Sequence, residues 1–159
     1  MARATKKPGE APAGLGACAC FRARTAARAI TDFYDRTLEP SGLRLTQMAI
    51  LAAIAGREGA TMQSVASELG LDPSTMTRTL RPLAKARLVR TRSGADRRAK
   101  EIELTAVGRE RLRAGHRYWQ DAQRALSERL GRATFERLVA DLVSVTRVLT
   151  PNRTEEVTK

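Results

Sequence analysis

Residues 72–100 read Asp72-Pro73-Ser74-Thr75-Met76-Thr77-Arg78-Thr79-Leu80-Arg81-Pro82-Leu83-Ala84-Lys85-Ala86-Arg87-Leu88-Val89-Arg90-Thr91-Arg92-Ser93-Gly94-Ala95-Asp96-Arg97-Arg98-Ala99-Lys100, and this stretch decides the fold. Asp72 is a helix N-cap residue, and Pro73 suits the first helical position, where a missing N–H costs nothing. Leu71 before the cap and Met76 one turn later are placed to form a hydrophobic staple. Met76, Leu80 and Leu83 make a stripe to bury, while Ser74, Thr75, Thr77, Arg78, Arg81 and Lys85 fall largely on the other sides. Pro82 removes one backbone hydrogen bond, so the sequence predicts a bend or an early end there. Val89-Arg90-Thr91-Arg92 alternates like a strand, as does Lys100-Glu101-Ile102-Glu103-Leu104, with Ser93-Gly94-Ala95-Asp96 as turn residues between them. Nine Lys or Arg stand against two Asp in these 29 residues, so 9 − 2 = +7 of the chain's net +12 is concentrated here. A helix and a narrow ribbon so charged suit a grooved polyanion, which points to duplex DNA.

Upstream, Ala19, Ala23, Ala26, Ile30, Phe33 and Thr37 recur at helical spacing from about Ala17 to Leu38, and Glu39-Pro40-Ser41-Gly42 closes that helix. Thr46 can cap a second helix carrying Met48, Leu51 and Ile54, stopped by Gly56 and Gly59. Thr61 caps a short third helix with Met62, Val65 and Leu69 facing inward and Gly70 past its end. The joint to Asp72 makes a helix-turn-helix, and the hairpin after it a wing. Downstream, Thr105 opens a long helix through about Leu130, with Leu112, Gly115, Trp119, Ala122 and Leu126 inward. A last helix after Gly131 carries Phe135, Leu138, Leu142, Val145 and Leu149, and Pro151 ends it. The seven-residue repeat of these terminal helices suggests packing across a dimer axis.

The expected fold is therefore mainly α with a small β-hairpin wing, a winged helix-turn-helix flanked by N- and C-terminal dimerisation helices. Its 159 residues fit a single domain over 17–150, with a DNA-binding part over about 46–104 and dimerisation helices over about 17–38 and 105–150. Residues 1–16 read as a disordered basic arm and 151–159 as a tail. Aromatics are only 4% of the chain, so Leu, Val, Ile, Met and Ala must build the core. No apolar run approaches the ~20 residues of a membrane span. Two cysteines two positions apart make no disulfide framework, and the expected location is the cytoplasm.

From roughly Cys18 to Leu149 the arrangement resembles the MarR family of bacterial regulators (multiple-antibiotic-resistance type). Leu43-Arg44-Leu45-Thr46-Gln47 resembles the family's entry to its second helix, and Ser64 to Arg78 its helix-turn-helix. Leu88-Val89-Arg90, then Asp96-Arg97-Arg98, then Leu104-Thr105-Ala106-Val107-Gly108 resemble its wing and exit; Asp-x-Arg followed by Leu-Thr-x-x-Gly is the most specific part. The resemblance implies a homodimeric winged-helix protein that binds a palindromic operator, usually as a repressor released by a small molecule or an oxidant. It also implies that Arg97 or Arg98 enters the minor groove while Asp96 orients an arginine. Minor-groove potential attracts guanidinium on its own account.

The fourth helix is expected in the major groove. Ser74, Thr75, Thr77 and Arg78 are candidates for base edges and nearby phosphates, and Arg81 and Lys85 for phosphates. The backbone N–H groups of its first turn are a further candidate phosphate holder. If Cys18 and Cys20 are both helical they diverge by about 200°, which disfavours a bridge. Cys20-Phe21 with Tyr34 fourteen residues on resembles the MarR subgroup that senses organic hydroperoxides, in which two tyrosines hydrogen-bond one N-terminal thiolate. Here Leu45 stands where that subgroup has its second tyrosine. Cys20 and Tyr34 are thus candidates for a redox sensor; a buried structural cysteine near a dimer seam is the competing reading. His116, the single histidine, is a candidate for a ligand pocket or simply a surface histidine. No metal-ligand spacing, phosphate loop or nucleophile–base pairing is visible, so neither an enzyme nor a metal or other cofactor is expected. The expected partners are double-stranded DNA, a second copy of the chain and an effector, with no membrane. A sequence-neutral architectural protein that coats DNA is the alternative function.

Overall fold

The computed structural model describes residues 15–93 and 100–150. Residues 1–14, which make up nearly all of the expected arm, lie outside them, as do the tail 151–159 and the wing tip 94–99. The order is α1 (Ala19–Leu38), a 3-10 turn (Glu39–Ser41), α2 (Leu45–Ala55), α3 (Met62–Glu68), α4 (Pro73–Lys85), β1 (Val89–Ser93), β2 (Lys100–Leu104), α5 (Ala106–Leu130) and α6 (Arg132–Leu149). It is a mainly α winged helix with one antiparallel hairpin, as the pattern of periods predicts.

α2 is the centre of the core. Met48, Ile50, Leu51, Ala53 and Ile54 are all buried, so this helix is enclosed on most sides and shows little amphipathic character. Leu38 of α1, Val65 of α3, Met76 and Leu83 of α4, Ile102 and Leu104 of β2 and Ala122 of α5 close around it. Thr46 does not cap α2. The N-cap is Arg44, two residues earlier, and the N–H of Leu45, the first helical residue, donates to Asp35 Oδ1 of α1 at 2.7 Å. Gln47 Oε1 accepts from the Arg44 N–H at 3.0 Å, and Arg44 itself forms an ion pair with Asp35 at 3.1 Å. A carboxylate from a different helix has taken the capping role, which helical spacing alone could not reveal.

Four inward assignments also change. Met62 in the first turn of α3 is exposed, and Val65 and Ala66 carry the burial instead. Ala19, Ala23 and Ala26 are exposed; α1 packs inward only from Ile30 onward, chiefly through Tyr34 and Leu38. α5 meets this half of α1, with the Tyr34 hydroxyl donating to Gln123 at 2.7 Å and Arg129 over the Phe33 ring, and then ends at Leu130. Pro82 does not stop α4, which runs on to Lys85. Having no N–H, Pro82 leaves the Arg78 carbonyl without its usual donor, a loss that costs little where both residues are exposed.

α3 and α4 end in the same way. After α3, Leu71 N–H donates to Ala66 O (2.8 Å) and Gly70 N–H to Ser67 O (3.3 Å), with Gly70 at φ +61°. After α4, Leu88 N–H donates to Leu83 O and Arg87 N–H to Ala84 O, both at 2.9 Å. This is the Schellman pattern twice, but at the second site the left-handed residue is Arg87, at φ +56°. An L side chain costs about 1–2 kcal/mol in that conformation.

In the hairpin Val89 pairs with Leu104 and Arg90 with Glu103, through to Ser93 with Lys100. A third segment joins it by a single bridge, Thr61 to Glu101, and Ile102 N–H donates to Ala60 O at 2.6 Å. Its shortness hid it from any period-two pattern. The Leu-Thr-x-x-Gly exit now has a physical account. Leu104 is buried, Thr105 Oγ1 accepts from Gly108 N–H at 3.0 Å, and the Thr105 hydroxyl donates to Arg87 O at 2.7 Å. Gly108 lies against the Leu88 carbonyl so closely that a Cβ there would overlap it. The motif is a weld between the end of the wing and the start of α5.

Candidate nucleic-acid interface

α4 is built to present one face. At 100° per residue, Met76, Leu80 and Leu83 span a sector of about 60°, and Ser74, Arg78, Arg81 and Lys85 span another of about 60° opposite to it. Met76 and Leu83 are buried and Leu80 partly so, whereas the four on the far side are all exposed. Thr77 (exposed) and Thr75 (half-buried) flank that outer stripe on either side. Arg78, Arg81 and Lys85 form no ion pair among the described residues, although Arg78 Nη2 donates to Thr75 Oγ1 at 3.4 Å. Residues scattered over a dozen positions thus form a single polar strip on a rigid rod.

Asp72 fixes the N-terminal end of that strip. Its Oδ1 accepts from the Ser74 N–H (3.0 Å), the Thr75 N–H (2.9 Å) and the Ser74 hydroxyl (2.5 Å). These hydrogen bonds, led by the Ser74 hydroxyl and followed by Thr75, hold the Asp72 carboxyl well below the usual carboxylate range. The first turn is consequently full. Pro73 has no N–H, those of Ser74 and Thr75 go to the carboxylate, and that of Met76 goes to the Asp72 carbonyl at 2.9 Å. The expectation that these N–H groups hold a phosphate is therefore corrected, since an acidic cap already occupies them.

The charge reading needs a second correction. Arg90 pairs with Glu103, and Arg92 with Glu101 at 2.6 Å, each pair directly opposed across the hairpin. The Glu101 bond, first, and the two glutamate charges raise the Arg92 pKa. Extending the segment to Leu104 includes both glutamates, so its balance becomes 9 − 4 = +5. The base of the wing is internally neutralised, so the outer strip of α4, with Arg87 just beyond its end, carries free positive charge among the described residues. Asp96, Arg97 and Arg98 lie outside the described residues.

The structure separates the other sequence candidates. Cys20 is exposed in the first turn of α1, and Tyr34 lies fourteen residues further along the same helix, about 21 Å away along its axis. The Tyr34 hydroxyl is bonded to Gln123, so Tyr34 and Cys20 do not pair within one chain. Cys18 is the extended N-cap residue of α1, at ψ 116°, so the divergence argued for two helical cysteines does not describe it. His116 is exposed on α5 and stacks on Trp119, ring centroids 5.3 Å apart. It lines neither of two surface cavities, of about 470 and 400 Å³, that flank Ala55, Leu104 and Arg109. No group of three or more His, Cys, Asp or Glu able to hold a metal occurs among the described residues. No helix among them is long and apolar enough to cross a membrane.

The sequence profile of the MarR family matches residues 41–99, from the end of the 3-10 turn to the wing. The M. tuberculosis transcriptional regulator MosR, solved in complex with DNA, is 37% identical, with a TM-score of 0.73 over 82% of this chain and 95% of MosR. The chain belongs to the MarR family. A MosR structure described without DNA gives 34% identity and a TM-score of 0.74, covering 85% of this chain and 97% of MosR. The transcriptional repressor CouR, bound to a 23-mer DNA duplex, is 21% identical with a TM-score of 0.76 over 90% of this chain and 99% of CouR, a likeness of fold. No curated protein matches the chain. This MarR-family member is thus a DNA-binding transcriptional regulator, and its relatives are regulators rather than enzymes.

Proposed function

We propose that this MarR-family chain is a homodimeric repressor of a palindromic operator, acting on the nucleoid and released by a small molecule or an oxidant. One observation carries the dimer. α6 has no buried residue, and its Val139, Leu142, Val143, Val145, Val148 and Leu149 are 45–76% exposed. So much contiguous apolar surface is not left in water by a finished monomer. α1 adds Phe21, 51% exposed at its free end. The dimerisation helices are then about 17–38 and 105–150, and the DNA-binding part about 46–104.

In this reading α4 of each subunit enters a major groove, with half-sites centred about one helical turn, or 34 Å, apart. Ser74, Thr75, Thr77 and Arg78 meet base edges or the phosphates beside them, Arg81 and Lys85 meet phosphates, and Asp96, Arg97 and Arg98 serve the minor groove. Release follows from geometry. α5 is tied to the wing by Thr105, and to the turn before α2 by Arg111, whose Nη1 donates to Ser41 O at 3.0 Å. An effector that binds one dimer arrangement better than another would therefore reset the distance between the two copies of α4.

The test joins assembly to sequence choice. Genomic fragments captured by the wild-type protein should share an inverted repeat of that spacing, and sedimentation should give a dimer. The double variant Leu142→Glu with Val145→Glu should sediment as a monomer and bind those fragments at least tenfold more weakly. A wild-type monomer that binds as tightly, or captured fragments without any repeat, would end this reading.

A further inference from the structure

Two hydroxyls on α4 have only one use for their proton. Ser74 Oγ lies 2.5 Å from Asp72 Oδ1, and an ionised carboxylate only accepts, so the Ser74 O–H must be the donor. The low pKa of Asp72 keeps that carboxylate ionised throughout the physiological range. Thr77 Oγ1 lies 2.8 Å from the Pro73 carbonyl oxygen, which also only accepts. Each hydroxyl carries a single proton, so both present nothing but lone pairs to the outside. Both are exposed, Ser74 at the N-terminal end of the outer strip and Thr77 at its edge.

The major groove sorts such groups sharply. Guanine N7 and O6, thymine O4 and adenine N7 are acceptors there, and only the exocyclic amino groups of adenine and cytosine donate. Phosphate oxygens accept as well. We propose that Ser74, with Thr77 beside it, is an acceptor-only reader that selects a base bearing an exocyclic amino group, adenine or cytosine, and is unsuited to phosphate. Arg78, one turn along the same strip, has the opposite polarity and suits the acceptors of guanine. Asp72 is then a positioning residue: it touches no base, and by taking the Ser74 proton it sets which bases Ser74 accepts. This rests on the placing of α4 in the major groove proposed above.

The test is a binding selection from a randomised duplex library, run on wild type and four single variants whose melting temperatures are measured alongside. Wild type should show a position restricted to adenine or cytosine, and which of the two appears identifies the partner. Ser74→Ala should lower that preference by about 3- to 10-fold, the worth of one hydrogen bond, while Ser74→Thr retains it. Thr77→Val should relax a different position. Asp72→Gly keeps a tolerated cap residue but frees the Ser74 proton, so thymine or guanine should become acceptable where only an amino-bearing base was. A purely structural role for Asp72 would not move that preference. Sharp wild-type preferences left unchanged by Ser74→Ala and Asp72→Gly overturn the inference and leave the operator reading standing. A wild-type protein with no preference at any position overturns both.

Discussion

The winged-helix unit and the last helix solve the same burial problem differently. Between Leu43 and Leu104 the core is completed within the one chain: Ile50, Leu51, Val65, Met76 and Leu83 are at most 2% exposed. In α6 the apolar residues recur at a similar helical spacing, yet Phe135 and Leu138 are only half-buried and the rest stand in the open. Helical periodicity reports that a face is to be covered, and not by what. In the first region α1, β2 and α5 supply the cover, whereas α6 touches chiefly α5 within the chain.

The sharpest way to break that contrast is a pair of truncations. Leu51→Ala should lower stability by about 2–5 kcal/mol at every protein concentration, measured by urea unfolding. Leu142→Ala should act on association instead, with a loss that shrinks as protein concentration rises. Equal and concentration-independent losses would mean that α6 belongs to a one-chain core after all.

The weld between the two regions gives a smaller effect. Gly108→Ala pushes a methyl into the Leu88 carbonyl, a backbone atom that cannot swing aside. Destabilisation of about 1–3 kcal/mol is expected, with the loss shared by the hairpin and α5. A substitution that leaves the unfolding midpoint where it was would show that the two elements are less tightly joined than their contact implies. Smallest, and of opposite sign, is Arg87→Gly. It places at the end of α4 the residue type that already ends α3, and should raise stability by about 1 kcal/mol. A lowered melting temperature would show that the Arg87 side chain makes contacts worth more than its backbone strain.

Much of the winged helix was legible because its signals are local. Caps at Thr61, Asp72 and Thr105, the alternation of β2 and the glycine after α3 each act within a few residues, and each stands where the sequence puts it. The outer strip of α4 was legible for the same reason, since 100° per residue is a property of the backbone. The misses are the non-local pairings. Asp35 caps α2 from ten residues away, and Glu101 and Glu103 neutralise arginines of the opposite strand. Tyr34 turns its hydroxyl to Gln123, 89 positions along the chain.

The amino-acid order alone settled the helix-turn-helix, the wing and the basic strip, because hydrophobic period, capping and turn chemistry act over distances the chain spans in one or two turns. Only the folded arrangement decided which charges stay free, which carboxylate caps α2 and where the Tyr34 hydroxyl is spent. Those are matters of pairing at about 3 Å. A hydrogen bond or ion pair depends on where two side chains meet, and side chains far apart in sequence meet only once the chain has packed.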